Sequence, residues 1–353
     1  MAYTDIDKPS EYFNTVLYTG NGVDGRTITG VGFNPDMSWV KSRSNAKAHI
    51  VADSVRGANK NLVPNETGAE FNPTTDVGSG GIGQVTTDGF TCEQGTSDLT
   101  NVNQSAYTYA SWNWLGGGTA VSNTDGSITS SVSANTTAGF SIVSYTGNST
   151  SGATVGHGLG VVPDVIICKQ TGGANDWMSY HSVLGNTKSM RLNATSASAT
   201  ATTYWNDTSP TSTVFSLGSD TKANASDTMI AYCFAEIKGY SKFGSYIGNG
   251  ATDGTFVYTG FKPAWIVIKR SSSSGTDWYM FDNKRSSFNV VNDYLDTNTS
   301  DSELSNLSLD FTSNGFKLRD SSTVVNSSGG TFIYMAFAEN PFVTSTGIPA
   351  TAR

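Results

Sequence analysis

Apolar residues in this chain come in short runs separated by clusters of Gly, Asn, Asp and Ser. Met37-Ser-Trp-Val40, Val165-Ile-Ile-Cys168 and Trp265-Ile-Val-Ile268 read as strands buried between two layers. Other runs alternate apolar and polar residues, as a half-buried strand does. No stretch keeps the 3.6-residue period of an amphipathic helix, so the pattern predicts an all-β chain of short antiparallel strands.

The pattern occurs three times. Tyr-x-Gly-Asn appears at Tyr18–Asn21, Tyr145–Asn148 and Tyr246–Asn249, followed by Pro35, Pro163 and Pro263 at nearly equal distances. Each proline precedes one of the apolar runs above, where a missing N–H does no harm to a ladder. Each run closes on a lysine, Lys41, Lys169 or Lys269. A second strand follows, Ala48-His-Ile-Val51, Asp176-Trp-Met-Ser-Tyr180 or Asp277-Trp-Tyr-Met-Phe281, and each unit ends on an aromatic-rich strand. The expected architecture is three tandem antiparallel β-sandwich modules, jelly-roll-like. The divisions are an arm at 1–11, a first unit at 12–116, a Gly/Ser/Thr-rich linker at 117–136, a second unit at 137–238, a third at 239–343 and a tail at 344–353.

Composition narrows this picture. Only 14% of the 353 residues are charged, while Ser and Thr make up roughly a quarter. Disorder is opposed by 17 Phe, 15 Tyr and 7 Trp, enough to build cores. A net charge of −8 argues against nucleic acid as a partner. Neither a signal-peptide pattern at the start nor an apolar window long enough for a membrane span is found. Cys92, Cys168 and Cys233 are odd in number and far apart, so they read as buried small hydrophobes in a reducing compartment.

Several segments together resemble a known family. These are Gly117–Gly126, Thr137-Ala-Gly-Phe-Ser-Ile142, Gly156-His-Gly-Leu-Gly160 with Pro163, Tyr232-Cys-Phe-Ala-Glu236 and Gly239–Tyr246. They are similar to a repeat-domain family of tailed-bacteriophage virion and tail-fibre proteins, especially from marine phages. The resemblance implies a non-enzymatic virion protein on the particle exterior, multimeric, with other virion proteins and a host-surface glycan or protein as partners. A tail-fibre or adhesin role leads, a capsid-decorating or knob role comes second and a glycan depolymerase third. It brings no active-site residues.

Chemistry-bearing motifs are sparse. His49, His157 and His181 fall at different repeat positions without metal-ligand spacing, and no nucleophile elbow, P-loop or dinucleotide fingerprint occurs, so no catalytic residue, metal or cofactor is expected. Glu236 and Glu339 both follow the last strand of their units, with Trp114 as the apparent match in the first, and read as solvated strand ends rather than a glycosidase pair. Binding has better candidates. Tyr204, Trp205, Asn206 and Asp207 place two aromatics in a polar loop found only in the second unit, and Trp177, Trp278 and Tyr279 recur beside aspartates.

Overall fold

The computed structural model describes residues 3–351, and all strand ladders among them are antiparallel, with one isolated parallel bridge between Ile128 and Val155. The fold is an all-β set of packed sheets, as the patterning predicts. Helix is confined to single turns such as Thr202–Trp205.

Three large inner sheets share one strand order. In the first unit it runs Phe13–Thr19, Thr108–Trp114, Met37–Ser42, Ile50–Asp53, Asn61–Leu62. The third unit repeats it with Ser241–Ile247, Thr331–Pro341, Phe261–Arg270, Trp278–Asp282 and Tyr294–Asp296. The second repeats it with Phe140–Thr146, Thr228–Phe234, Val165–Gln170, Met178–His181 and Lys188–Arg191. A small outer sheet packs on each, and the three sandwich cores between them form separate clusters.

The stretch 117–136 differs from the expected linker. Val121–Asn123 and Ser130–Asn135 are strands that widen the second inner sheet beyond Phe140–Thr146. Their Ser-rich composition suits a strand because the hydroxyls are used: Ser130 donates to the Gly156 carbonyl and Ser133 accepts from the Gly117 N–H. Val132 meanwhile enters the sandwich core.

The Tyr-x-Gly-Asn motif is a structural corner. Tyr18, Tyr145 and Tyr246 donate to the carbonyls of Val102, Ala223 and Val325 at 2.7, 2.6 and 2.5 Å. The next residues, Asn103, Asn224 and Asn326, are fully buried and accept the N–H of the motif asparagine. The glycine is dictated by contact, since a Cβ on Gly20, Gly147 or Gly248 would lie 2.0–2.3 Å from a backbone oxygen.

The other faces of the three inner sheets meet in one shared core. At its centre lie Trp114, Phe234 and Phe337, which hold the same register position in their sheets. Their ring centroids are 6.5, 6.0 and 5.8 Å apart, all edge-to-face. The units are therefore not beads on a string but three sheets closed around a common axis.

Polar bonds close the same ring in a consistent direction. Lys41 reaches the Ser300 carbonyl of the third unit, Lys169 the Thr67 carbonyl of the first, and Lys269 the Thr195 carbonyl of the second. Trp177 and Trp278 donate to the Val63 and Arg191 carbonyls of the preceding unit, and His49 takes the equivalent step to the Asp296 carbonyl, each at 3.0 Å. His49 Nδ1 accepts from Trp39, which leaves the proton on Nε2 for that bond. Backbone N–H groups of Glu70, Ser198 and Glu303 complete each seam by donating to Thr171, Ser271 and Arg43.

Phe337 stacks on Phe13 and also meets Trp114, Phe234, Tyr240, Phe243 and Trp265. Phe337→Ala is expected to destabilise the whole chain by about 3–5 kcal/mol. Chemical denaturation checks this, and a loss below about 1 kcal/mol would separate the axis from global stability.

Candidate functional site

The aromatics singled out in the sequence are mostly interior. Trp177 and Trp278 are 1% and 5% exposed and spend their indole N–H groups on the seams between units. Tyr279 is buried against Tyr294 in the third sandwich core. Trp205 is buried too, with its edge on Tyr180 and its N–H donated to the Lys188 carbonyl. The segment read as a polar loop is one helical turn that plugs the second sandwich, leaving Tyr204 and Asn206 half-buried and only Asp207 exposed. Unit seams and sandwich cores already cover Trp177, Trp205, Trp278 and Tyr279, so these four rings cannot stack on an incoming ligand, while Tyr204 keeps part of its ring open.

The titratable groups are equally committed. Asp53 and Arg56 form a buried pair at 2.6 Å, and Asp282 and Arg285 repeat it at 2.5 Å. Across the seams Tyr232 donates to Asp53 and Trp112 to Asp282. In the second unit the register position of these aspartates holds His181, bonded to the Tyr334 carbonyl, and Leu184 stands where the arginines do. An apolar cavity of about 40 Å³ lies beside it on the axis, lined by residues including Leu184, Met335, Trp114 and Trp265. His157 bonds the Thr211 carbonyl, and the three cysteines are buried and free. No group of three metal-binding side chains occurs among the described residues.

Strand register corrects one sequence match. Trp114 is level with Phe234 and Phe337, so Gly116 corresponds to Glu236 and Glu339. Glu236 pairs with Lys242 and Glu339 with Lys262.

Exposed aromatics occur elsewhere, on the third unit's outer sheet. Phe256 and Tyr258 are 45% and 54% exposed, flanking Val257, which points into the sandwich core. They share one face because strand side chains alternate. Tyr3 extends the patch: its hydroxyl donates to the Gly260 carbonyl at 2.6 Å and lies 3.4 Å from that of Tyr258. The Lys238 ammonium stands 4.6 Å above the Tyr3 ring. The pairings of Ile28, Val155 and Val257 with Phe90, Phe215 and Phe316 make these three positions equivalent. Their neighbours are then Thr27 and Thr29 in the first unit and Thr154 and Gly156 in the second. The aromatic face thus belongs to the third unit alone among the described residues. Sequence reasoning missed it because Phe256-Val-Tyr258 reads like any other short strand; only register shows that its neighbours' counterparts are not aromatic.

Residues 8–341 match the family model DUF7483, described as a domain of unknown function. The chain belongs to that family. No curated protein and no solved structure matches it. One family model spans all three units, as the shared core leads one to expect, and it includes Phe256 and Tyr258.

Burial also sets the pH response. It holds His49 and His157 below the usual histidine range and His181 at about 4. On acidification the unfolded chain takes up protons near pH 6.5 that the folded chain refuses, so stability falls. Asp296 opposes this, since burial raises it to about 7 and the folded state gains its proton first. The three histidines act against the one aspartate, so stability falls as pH drops from 6 to 5. Burial also lowers Lys41 to about 7 and Lys169 and Lys269 to about 8, so stability continues to rise toward pH 8. Thermal midpoints should climb from pH 5 to pH 8; a flat or falling curve would contradict this assignment.

Proposed function

We propose that this chain is a non-enzymatic protein of a bacteriophage virion, exposed on the particle, that contacts the host surface through the aromatic face of its third unit. The observation that carries the reading is Phe256 and Tyr258, two exposed rings on one face, at positions that are Thr or Gly in the other units. A position shared by all three units serves the shared fold, whereas a large exposed aromatic in one unit has no packing role to explain it. Aromatic faces beside hydroxyl and ammonium groups suit sugar rings, which present C–H faces and hydroxyl edges. The virion setting is supported by the segments from Gly117 to Tyr246 that resemble phage virion proteins.

Capsid decoration is the second reading, and the ring itself favours it. Three equivalent sheets around one axis let a single chain offer similar surfaces to three equivalent points of a symmetric lattice. A depolymerase is the third reading, and reducing-sugar release from host polysaccharide would support it.

Purified protein should label host cells or a glycan array. The variant Phe256→Ser/Tyr258→Ser should lose at least tenfold in labelling with an unchanged thermal midpoint. Equal labelling by the variant would overturn the assignment of the surface. Binding to phage heads without binding to cells would favour decoration.

A further inference from the structure

The third unit braces one corner of its inner sheet differently from the other two. In the first unit Asp36 accepts from Ser54 Oγ at 2.6 Å and from the Gly116 N–H at 2.8 Å, and in the second Asp164 accepts from the Glu236 N–H at 2.9 Å. The equivalent residue in the third is Ala264, because the N–H groups of Ser54, Ser182 and Asn283 donate to the carbonyls of Asp36, Asp164 and Ala264 at 2.7–2.8 Å. In place of the aspartate this corner carries Lys262, Asn283 and Glu339. Their counterparts are Asn34, Ser54 and Gly116 in the first unit and Val162, Ser182 and Glu236 in the second. The lysine and the asparagine thus occur together only in the unit that lacks the aspartate. Pairing of Phe261–Arg270 with Thr331–Pro341 also shifts register on both sides of Pro263, and bulges of this kind re-aim side chains.

One carboxylate touches both groups. Glu339 Oε1 lies 3.4 Å from Lys262 Nζ, and Glu339 Oε2 accepts from Asn283 Nδ2 at 2.8 Å. Lys262 and Asn283 are 7% and 4% exposed, whereas the Glu339 side chain is 26% exposed and reaches solvent. Lys41, Lys169 and Lys269 each donate to two or more oxygens. Lys262 reaches only Glu339 among the described residues, at a distance longer than a charge-assisted hydrogen bond. Its flexible four-carbon stem is therefore free to turn the amine onto the neighbouring amide. An amine, a primary amide and a carboxylate that contacts both, held almost out of water, are the parts of an amide exchange, with the carboxylate as proton carrier.

We infer that this corner is a self-modification site, at which Lys262 and Asn283 join through an isopeptide bond with loss of ammonia. Glu339 takes a proton from the Lys262 ammonium, and the freed Nζ lone pair attacks Asn283 Cγ to form the new C–N bond. Glu339 passes that proton to Nδ2, its hydrogen-bond partner. The Cγ–Nδ2 bond then breaks with its electron pair on nitrogen, and the carbonyl re-forms. Glu339 takes the second proton from the new amide nitrogen and hands it to the departing ammonia, which leaves as ammonium, so the carboxylate ends as it began. No oxidant, metal or co-reactant is needed. The bond ties the strands Phe261–Arg270 and Trp278–Asp282 together beside the bulge, where the other units rely on an aspartate.

This inference does not depend on the host-contact reading, and mass spectrometry of the folded full chain tests it. The intact mass should be lower than the sequence mass by one ammonia. Trypsin does not cut before Pro263, so the digest should contain one branched peptide that joins Phe243–Lys269 to Ser271–Lys284. A succinimide at Asn21-Gly22, Asn249-Gly250 or Asn314-Gly315 loses the same mass but yields no branched peptide. Lys262→Arg and Glu339→Gln should each show the full sequence mass, and the wild-type result decides alone if either variant fails to fold. A folded chain with no branched peptide would overturn the inference. A bond that forms to the same extent in Glu339→Gln would overturn the role given to Glu339.

Discussion

Everything else in this molecule depends on the meeting of Trp114, Phe234 and Phe337. Each ring lies in the second strand of the shared order at the same register position, and each touches the other two edge-to-face. That contact forces the inner sheets to be apolar on both faces, because one face serves a private sandwich core and the other serves the axis. The continuous apolar runs before Lys41, Lys169 and Lys269 follow directly. So does the shortage of charge, since a three-layer arrangement leaves little strand surface for it.

The seams show how a repeated unit meets its neighbours without identical residues. Lys41, Lys169 and Lys269 all bury an ammonium among carbonyls, and burial lowers the pKa of each. His49 does with an imidazole N–H what Trp177 and Trp278 do with an indole. The Asp–Arg pair exists only where the facing strand offers a donor, Tyr232 or Trp112; opposite Met335, which has none, His181 and Leu184 take its place. Removing one member of such a pair strands a buried charge, so charge and partner vary together.

The strands, the threefold repetition of the pattern and the buried cysteines were legible in the sequence, because each depends on local periodicity or residue type. The closure was not. Lys41 gave its position in the repeat, but its acceptor Ser300 is 259 residues away and carries no sequence signal. Trp177 and Trp278 looked like binding residues for the same reason, since an aromatic beside an aspartate reads alike in a seam and on a surface. The stretch 117–136 misled through composition, as serine is equally at home in a linker and in a strand whose hydroxyls are bonded. Lys262, Asn283 and Glu339 meet only once the third inner sheet has formed.

A ring of this kind separates scaffold from surface: shared positions build the body, and residues peculiar to one unit, such as Phe256 and Tyr258, are free to differ. The central claim is that three units fold as one body around their axis. Differential scanning calorimetry tests it most directly. A shared core predicts a single transition whose calorimetric and van't Hoff enthalpies agree. Two or three resolved transitions, or a calorimetric enthalpy well above the van't Hoff value, would show units that unfold independently and would contradict it.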